Sequence, residues 1–389
     1  MNYRAFTIVL MVSTTLSPAA WGQSKHQGVV FEDVNKNGSR EAGEPGIAGV
    51  VVSNQVDCVA TGNDGTYEVD MERGYGIVFV SVPATHRAVG SFWETVDRED
   101  AKSVDFALAP ASAEEEFSFI HASDTHLSDK TLPRLRQLRK IAEDIQPAFV
   151  FITGDLIDDA LRVDEGVALP LYELYRREIE DFPVPVYSVP GNHEIFGIER
   201  HLSIVGKDHP LYGKTMYRSV LGPDYYSFQF GQVRFIGLNS VDYDDLWYYG
   251  HLDKVQLDWL DRELSRVPEG SAVVTFGHMP FFSAASAMIG FDDDRFVEID
   301  GARTYRHTVS NAQEVLEHLN NVDHTLTLAG HIHYREKLEL EGLETRFHNA
   351  PAVGRPNNRN PQLPSGVILY RVRGTDIDDG EFIPLSENP

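Results

Sequence analysis

Five short polar punctuations, each placed directly after an apolar run, constrain this chain more than any other feature. Asp124-Thr125-His126 follows residues 117–122, Gly154-Asp155 follows 148–153, and Gly191-Asn192-His193-Glu194 follows 184–189. Gly277-His278 follows 272–276, and Gly330-His331-Ile332-His333 follows 325–329. Each run has the length and the β-branched or aromatic content of a buried strand. Asp, His and Asn therefore recur just past the C-terminal ends of strands, the edge at which open α/β sheets bind ligands. Carboxylate and imidazole suit zinc, manganese or iron, one carboxylate can bridge two ions, and an Asn carbonyl suits the harder oxygen sites. A lone Asp-x-His is more often a surface or core pair than a ligand set, but five punctuations in series are hard to reach by accident. Cys58 is the only cysteine and lies far from them, so a thiolate zinc site and an intrachain disulfide are both excluded.

The order D-x-H, GD, GNH-[DE], H, GHxH resembles the calcineurin-like metallophosphoesterase superfamily, over roughly residues 117–350. The connecting segments at 222–228, 233–240 and 256–260 read like those of the same superfamily. The resemblance implies an α/β fold, an αββα sandwich in which two mixed sheets pack together under flanking helices. It implies two divalent transition metals (Mn, Fe or Zn). Asp124, His126, Asp155 and His333 would hold one; Asp155, Asn192, His278 and His331 would hold the other, with Asp155 shared. The implied activity is hydrolysis of a small phosphate ester, monoester or diester, by a metal-activated hydroxide in line with the leaving oxygen. His193 would serve the leaving group, with Glu194 orienting it. Purple acid phosphatases carry a tyrosine three residues after the shared Asp. Here that position is Asp158, which disfavours the purple subclass. Asp158 is a candidate partner for His193 or a ligand imidazole, or else a carboxylate at a helix start.

The rest of the chain divides around this unit. Residues 1–22 read as a secretory signal: Arg4, then a short apolar stretch, then small residues before Gly22. That predicts a bacterial periplasmic or secreted protein with no membrane span after the signal is removed. Residues 27–109 show short alternating runs separated by Gly, Asn, Asp and Pro, the pattern of a small all-β sandwich, followed by a polar linker at 110–116. Within it, residues 33–44 fit D-x-[DN]-x-[DN]-G-x5-E, and Asp33, Asn35, Asn37 and Glu44 are candidate calcium ligands. No helices flank the loop, so it resembles the calcium loops of B-type β-sandwich repeats in bacterial surface proteins, not an EF-hand. The phosphoesterase-like unit spans 117–374, and 375–389 reads as a loosely held polar tail.

The formal charge of −25 argues against a nucleic-acid-binding face and against attraction to anionic membranes. Oligomeric state is not readable. Substrate-facing groups are expected in two inserts. Residues 195–225 hold Arg200, His201, Lys207 and His209. Residues 283–309 hold Asp292-Asp-Asp-Arg and Arg303-Thr-Tyr-Arg-His. An aromatic segment at 243–249, Trp247 included, could stack on a substrate or simply pack. A rival reading makes the chain a calcium-dependent surface or carbohydrate-binding protein with the phosphoesterase fold as scaffold. Lost ligands would favour it, and none is lost.

Overall fold

The computed structural model describes residues 25–97, 103–354 and 364–386, so the signal-like residues 1–22 lie outside the described part. Two six-stranded sheets form the larger unit. In the first, Glu116–Ala122 is flanked by parallel Phe149–Thr153, with Val186–Val189 parallel beyond it, and by antiparallel Gly366–Arg373. In the second, Val233–Gly237, Ala272–Phe276, Asp323–Ala329 and Arg346–Asn349 run parallel, with Tyr226–Phe230 and Glu336–Leu338 antiparallel at the edges. Parallel strands are buried on both faces, which is why they read as unbroken apolar runs; Phe149–Thr153 and Ala272–Phe276 are buried at every position.

An aromatic layer joins the sheets. Phe151 meets Phe276 at 4.2 Å between ring centroids, Phe119 meets Phe235 at 5.6 Å, and Phe149 meets Phe228 at 5.5 Å. Offset and edge-to-face contacts of this kind fix the relative position of two sheets better than aliphatic packing does. Outside the first sheet lie helices Leu132–Ile145 and Glu165–Glu180. The first of these starts with Pro133 in its opening turn and buries Leu135, Leu138 and Ala142 at helical spacing. Helices Lys254–Leu264 and Ala312–Leu319 accompany the second sheet; Asp253 caps the former by accepting the Gln256 N–H at 2.8 Å. This is the expected mixed αββα arrangement.

The N-terminal region is β-rich, as expected: two four-stranded sheets, one built on Lys25–Glu32 and the other on Val51–Ser53 and Ile77–Ser81. It does not hang from the polar segment after Pro110. Its core is continuous with that of the larger unit, and helix Lys254–Leu264 lies between them, with Trp259 wholly buried against Phe79. A polar network crosses the same contact. Buried Glu263 accepts from Arg234, from Ser227 and, at 3.4 Å, from Ser81 of the N-terminal sheet. Gln55 donates to Asp224 at 2.8 Å, and Tyr225 donates to the Gln55 carbonyl. The C-terminal stretch is also held more closely than its composition suggests. Asp376–Ile377 and Glu381–Pro384 pair with Gly366–Arg373, and Leu385 is buried.

Removing one partner of a buried ion pair strands the other charge, at a cost of about 3–5 kcal/mol. Glu263→Ala should lower unfolding stability by that amount, and urea unfolding followed by Trp259 fluorescence together with circular dichroism should show both units melting in one transition. Two separated transitions in the unmodified protein would mean that the units are energetically independent.

Candidate metal centre

The centre is made by turns that leave parallel strands and bend at once. Asp124 follows strand Glu116–Ala122 by two residues, Asp155 follows Phe149–Thr153 by two, and His278 follows Ala272–Phe276 by two. Asp124, His126, Asp155, His331 and His333 all adopt positive φ, from 41° to 65°. Left-handed backbone is uncommon for residues with a Cβ, and its concentration at five candidate ligands marks a strained functional site. Other bonds hold the turns in place. Asp124 and His126 donate their main-chain N–H groups to the carbonyls of Gly154 and Asp155, at 3.0 and 2.9 Å. Glycine is required where turns touch: a Cβ on Gly330 would lie 1.8 Å from Ser123 Oγ, and one on Gly191 would lie 2.3 Å from Asp155 Oδ1.

Two sets of side chains converge. Asp124, His126, Asp155 and His333 form one, and Asp155, His278 and His331 form the other, sharing Asp155. Asn192 stands with them on the turn Asn192–Glu194, its Oδ1 buried and without a hydrogen-bond partner. Six of the seven positions named from the sequence are therefore brought together, and Asn192 lies on the turn whose His193 N–H bonds Asp155 Oδ1. The donor set fits cations. Nε2 of His126 lies 3.3 Å from Nε2 of His333, and Nε2 of His333 lies 3.0 Å from Asp124 Oδ1. Asp124 Oδ2 accepts the His331 N–H at 3.0 Å, which leaves Oδ1 turned toward His333. Carboxylate and imidazole atoms thus crowd a common space, an arrangement suited to a positive ion.

The titration pattern agrees. Burial drives His126 down to about 3. Burial would do the same to His278, but the Asp155 carboxylate 3.2 Å away, with Asp124 behind it, overrides burial and raises His278 to about 9. Burial opposes ionisation of Asp155, yet His278 and His193 hold it well below the usual carboxylate range.

Three neighbours differ from the sequence reading or were absent from it. The Asp158 main-chain carbonyl holds Nδ1 of His193. A carbonyl only accepts, so Nδ1 carries the hydrogen and Nε2 is presented to the centre, 3.8 Å from Asp155 Oδ2. Glu194 does not orient the His193 ring. It is buried and accepts three main-chain N–H bonds, from Leu156 at 2.7 Å, Ile157 at 3.1 Å and Gly191 at 2.6 Å, tying the GNHE turn to the GD turn. His307, from the second insert, places Nδ1 2.8 Å from His331 Nε2, with the rings nearly parallel. No spacing rule links an insert histidine to a ligand, so only the fold reveals it.

The candidate calcium residues also meet. Asp33 accepts from the Asn37 and Gly38 N–H groups at 3.2 and 2.7 Å, and Glu44 accepts from Val34 and Glu41 at 3.2 and 2.9 Å. Asn35 and Asn37 both donate to Glu41. The loop thus satisfies its own acceptors. Among the described residues, the groups of three or more acidic, His or Cys side chains that could hold a metal are the two at the strand ends.

Residues 117–335 match the family model described as calcineurin-like phosphoesterase, and residues 34–111 match the one described as the N terminal of calcineurin-like phosphoesterase. The chain belongs to the calcineurin-like phosphoesterase family, whose members are metal-dependent hydrolases. It is 25% identical over 253 residues to a 3',5'-cyclic-nucleotide phosphodiesterase of Nostoc sp., covering 62% of this chain and 77% of that protein. It is 26% identical over 162 residues to a serine/threonine-protein phosphatase of Bos taurus, covering 39% of this chain and 45% of that one. A dimetal phosphatase of Danio rerio aligns in structure with 69% of this chain and 99% of its own, at 16% identity and a TM-score of 0.46.

Two outcomes follow from this geometry. His307 touches the outer nitrogen of His331, Nε2, while Nδ1 of His331 faces His278 within the second set. Loss of such an outer partner typically weakens metal binding about 10- to 100-fold. His307→Ala should do this for one of two ions and His307→Gln less so, as read by competitive chelator titration. Metal uptake must also displace the proton that His278 holds below about 9. Apparent affinity should therefore rise with pH up to that value. Loading the apoprotein with Mn²⁺ at pH 7.5 in weak buffer should release protons, from His278 and also from His333, which Asp124 holds above the usual imidazole range against burial. No release in an indicator-dye titration would contradict the His278 assignment.

Proposed function

We propose that the chain hydrolyses small phosphodiesters at a two-metal centre. Asp124, His126, Asp155 and His333 would hold one ion, and Asp155, Asn192, His278 and His331 would hold the other. The observation that carries this reading is the convergence of Asp and His side chains on two sets that share Asp155. When bound, a pair of divalent cations clamps phosphoryl oxygens and makes a water acidic enough to attack phosphorus at neutral pH. The diester preference is supported by the Nostoc relative, a cyclic-nucleotide phosphodiesterase.

The chain's own residues do the rest. His193 presents Nε2 at the rim of the centre, and the Asp158 carbonyl stabilises the ring when both nitrogens carry hydrogen. In that form His193 donates a proton to the departing alkoxide. The main-chain N–H of His193 bonds Asp155 Oδ1 at 3.0 Å, so the same turn that carries the acid also orients the shared carboxylate. Calcium is not needed for this proposal, because the 33–44 loop belongs to the N-terminal region and the two ligand sets lie at the strand ends. Export follows from the signal-like N terminus and is tested by mass determination of the mature N terminus.

Bis-p-nitrophenyl phosphate and p-nitrophenyl phosphate with added Mn²⁺, Zn²⁺ or Fe²⁺ separate the possibilities. Turnover of the diester supports the proposal, turnover of the monoester alone replaces it with a monoesterase, and neither refutes hydrolysis. His193→Ala should keep metal content and lose about 10²- to 10⁴-fold in kcat. The loss should be larger for a methyl than for a p-nitrophenyl leaving group, since the latter departs without a proton. Equal losses would remove the acid role.

A further inference from the structure

The insert cations named from the sequence are mostly engaged with nearby carboxylates. Arg200 and Lys207 both bind Asp245, His209 lies 3.2 Å from Glu165, and Arg303 binds Asp293 at 2.6 Å. Arg295 is placed beside Asp294, at 3.8 Å, and His307, at 3.3 Å. Arg306 is different. It is only 7% exposed, its Nε is occluded without a hydrogen-bond partner, and no carboxylate pairs with it among the described residues. A guanidinium stays charged at any pH a protein meets, so burying one without a counter-ion is unfavourable.

What surrounds Arg306 is aromatic. Its Cζ lies 4.0 Å from the ring centroid of Tyr248 and 5.1 Å from that of Trp247. The same Tyr248 ring meets His331 edge-on, with centroids 6.2 Å apart. The next residue, His307, bonds His331 directly. Arg306 is therefore anchored one aromatic ring away from the candidate metal pair, beside it and not on it. Cation–π contacts hold the guanidinium in a fixed plane and leave its hydrogen-bonding edge unspent. A planar edge of N–H donors of that kind matches a carboxylate or phosphate in two-point contact.

We infer that Arg306 is a subsite for a second oxyanion group on the substrate, carried on an organic substituent of the phosphate ester. The reacting phosphoryl group would lie at the centre built on Asp155, and Arg306 takes a carboxylate or further phosphate lying one ring-width away. The Tyr248 ring lies between the two. This deepens the hydrolytic reading and rests on it for the identity of the reacting group, but anion recognition by Arg306 can be measured without turnover.

The probes are two non-hydrolysable phosphonates, 4-carboxybenzylphosphonate and its carboxamide, titrated calorimetrically into metal-loaded protein. The corresponding substrates are methyl 4-carboxyphenyl and methyl 4-carbamoylphenyl phosphate. The unmodified protein should bind the carboxylate probe at least about 10-fold more tightly than the amide, the scale of one charge-assisted two-point contact. Arg306→Gln should abolish that ratio, in binding and in kcat/KM, with metal content and melting temperature retained. Arg306→Lys should keep part of it. Intrinsic leaving-group differences cancel when each variant's ratio is compared with the unmodified ratio. No preference for the carboxylate in the unmodified protein overturns the inference, and this comparison needs no variant to fold. An unchanged ratio in well-folded Arg306→Gln also overturns it. If the probes bind with the expected ratio while neither ester turns over, the subsite stands and the hydrolytic proposal fails.

Discussion

Two buried carboxylates, Asp124 and Asp155, face imidazoles across a space that hydrogen bonding fills badly. Burying ionised carboxylates is costly unless positive charge lies close. Protons on the imidazoles compensate only in part, because burial drives His126 and His331 toward the neutral form while Asp155 keeps a proton on His278. Divalent cations resolve the conflict for all of these groups at once. The rest of the site follows from holding ligands ready for that outcome. The left-handed turns, the glycines that admit Asp124 and Asp155 at close approach, and the three N–H bonds to Glu194 fix the donors in advance, so little reorganisation is left to the binding event.

The N-terminal unit takes part in this rigidity through one helix. Lys254–Leu264 packs its Trp259 against Phe79, while Gln256, near its start, both accepts from and donates to the main chain of Asn239 at 2.9 Å. Ser240, the next residue, accepts the N–H groups of His278 and Met279 at 3.0 and 2.7 Å. The helix that the two units share thus braces the turn carrying a candidate ligand. The polar contacts around Glu263 and Asp224 favour one docked orientation, since any shift would strand Ser81 from Glu263 and Gln55 from Asp224. The short polar segment after Pro110 is a connection between packed bodies and does not act as a flexible tether.

Much of this was legible in the sequence, for a physical reason. Parallel strands buried on both faces must be apolar throughout, and the first polar residues after them must lie at the sheet edge. Residues 148–155 and 272–278 therefore disclose both a strand and the position of Asp155 or His278. Helix Leu132–Ile145 was readable from its spacing and Pro133. What was not legible depends on chain folding over longer distances. Glu194 looked like a partner for the adjacent His193, yet the turn sends its carboxylate back to Leu156 and Ile157. Asp158 adds a contact that side-chain chemistry does not announce, because its main-chain carbonyl reaches His193. The polar tail gave no sign of strands because edge pairing at Glu381–Pro384 uses main-chain groups, which composition does not reveal.

The inserts resist sequence reading for a related reason. They are rich in Arg, Lys and His, and composition alone ranks these residues equally as phosphate grips. Geometry separates them, because Asp245, Glu165 and Asp293 occupy most of the positive charges at the surface. The separation matters in a chain of net charge −25, whose long-range field repels anions. At physiological ionic strength that field is screened within about 8 Å. Selection of an anionic substrate then falls to groups within a few ångströms of it. Here those are the cations that Asp124 and Asp155 call for, the His193 ring, and the one guanidinium in the inserts that is buried without a carboxylate among the described residues.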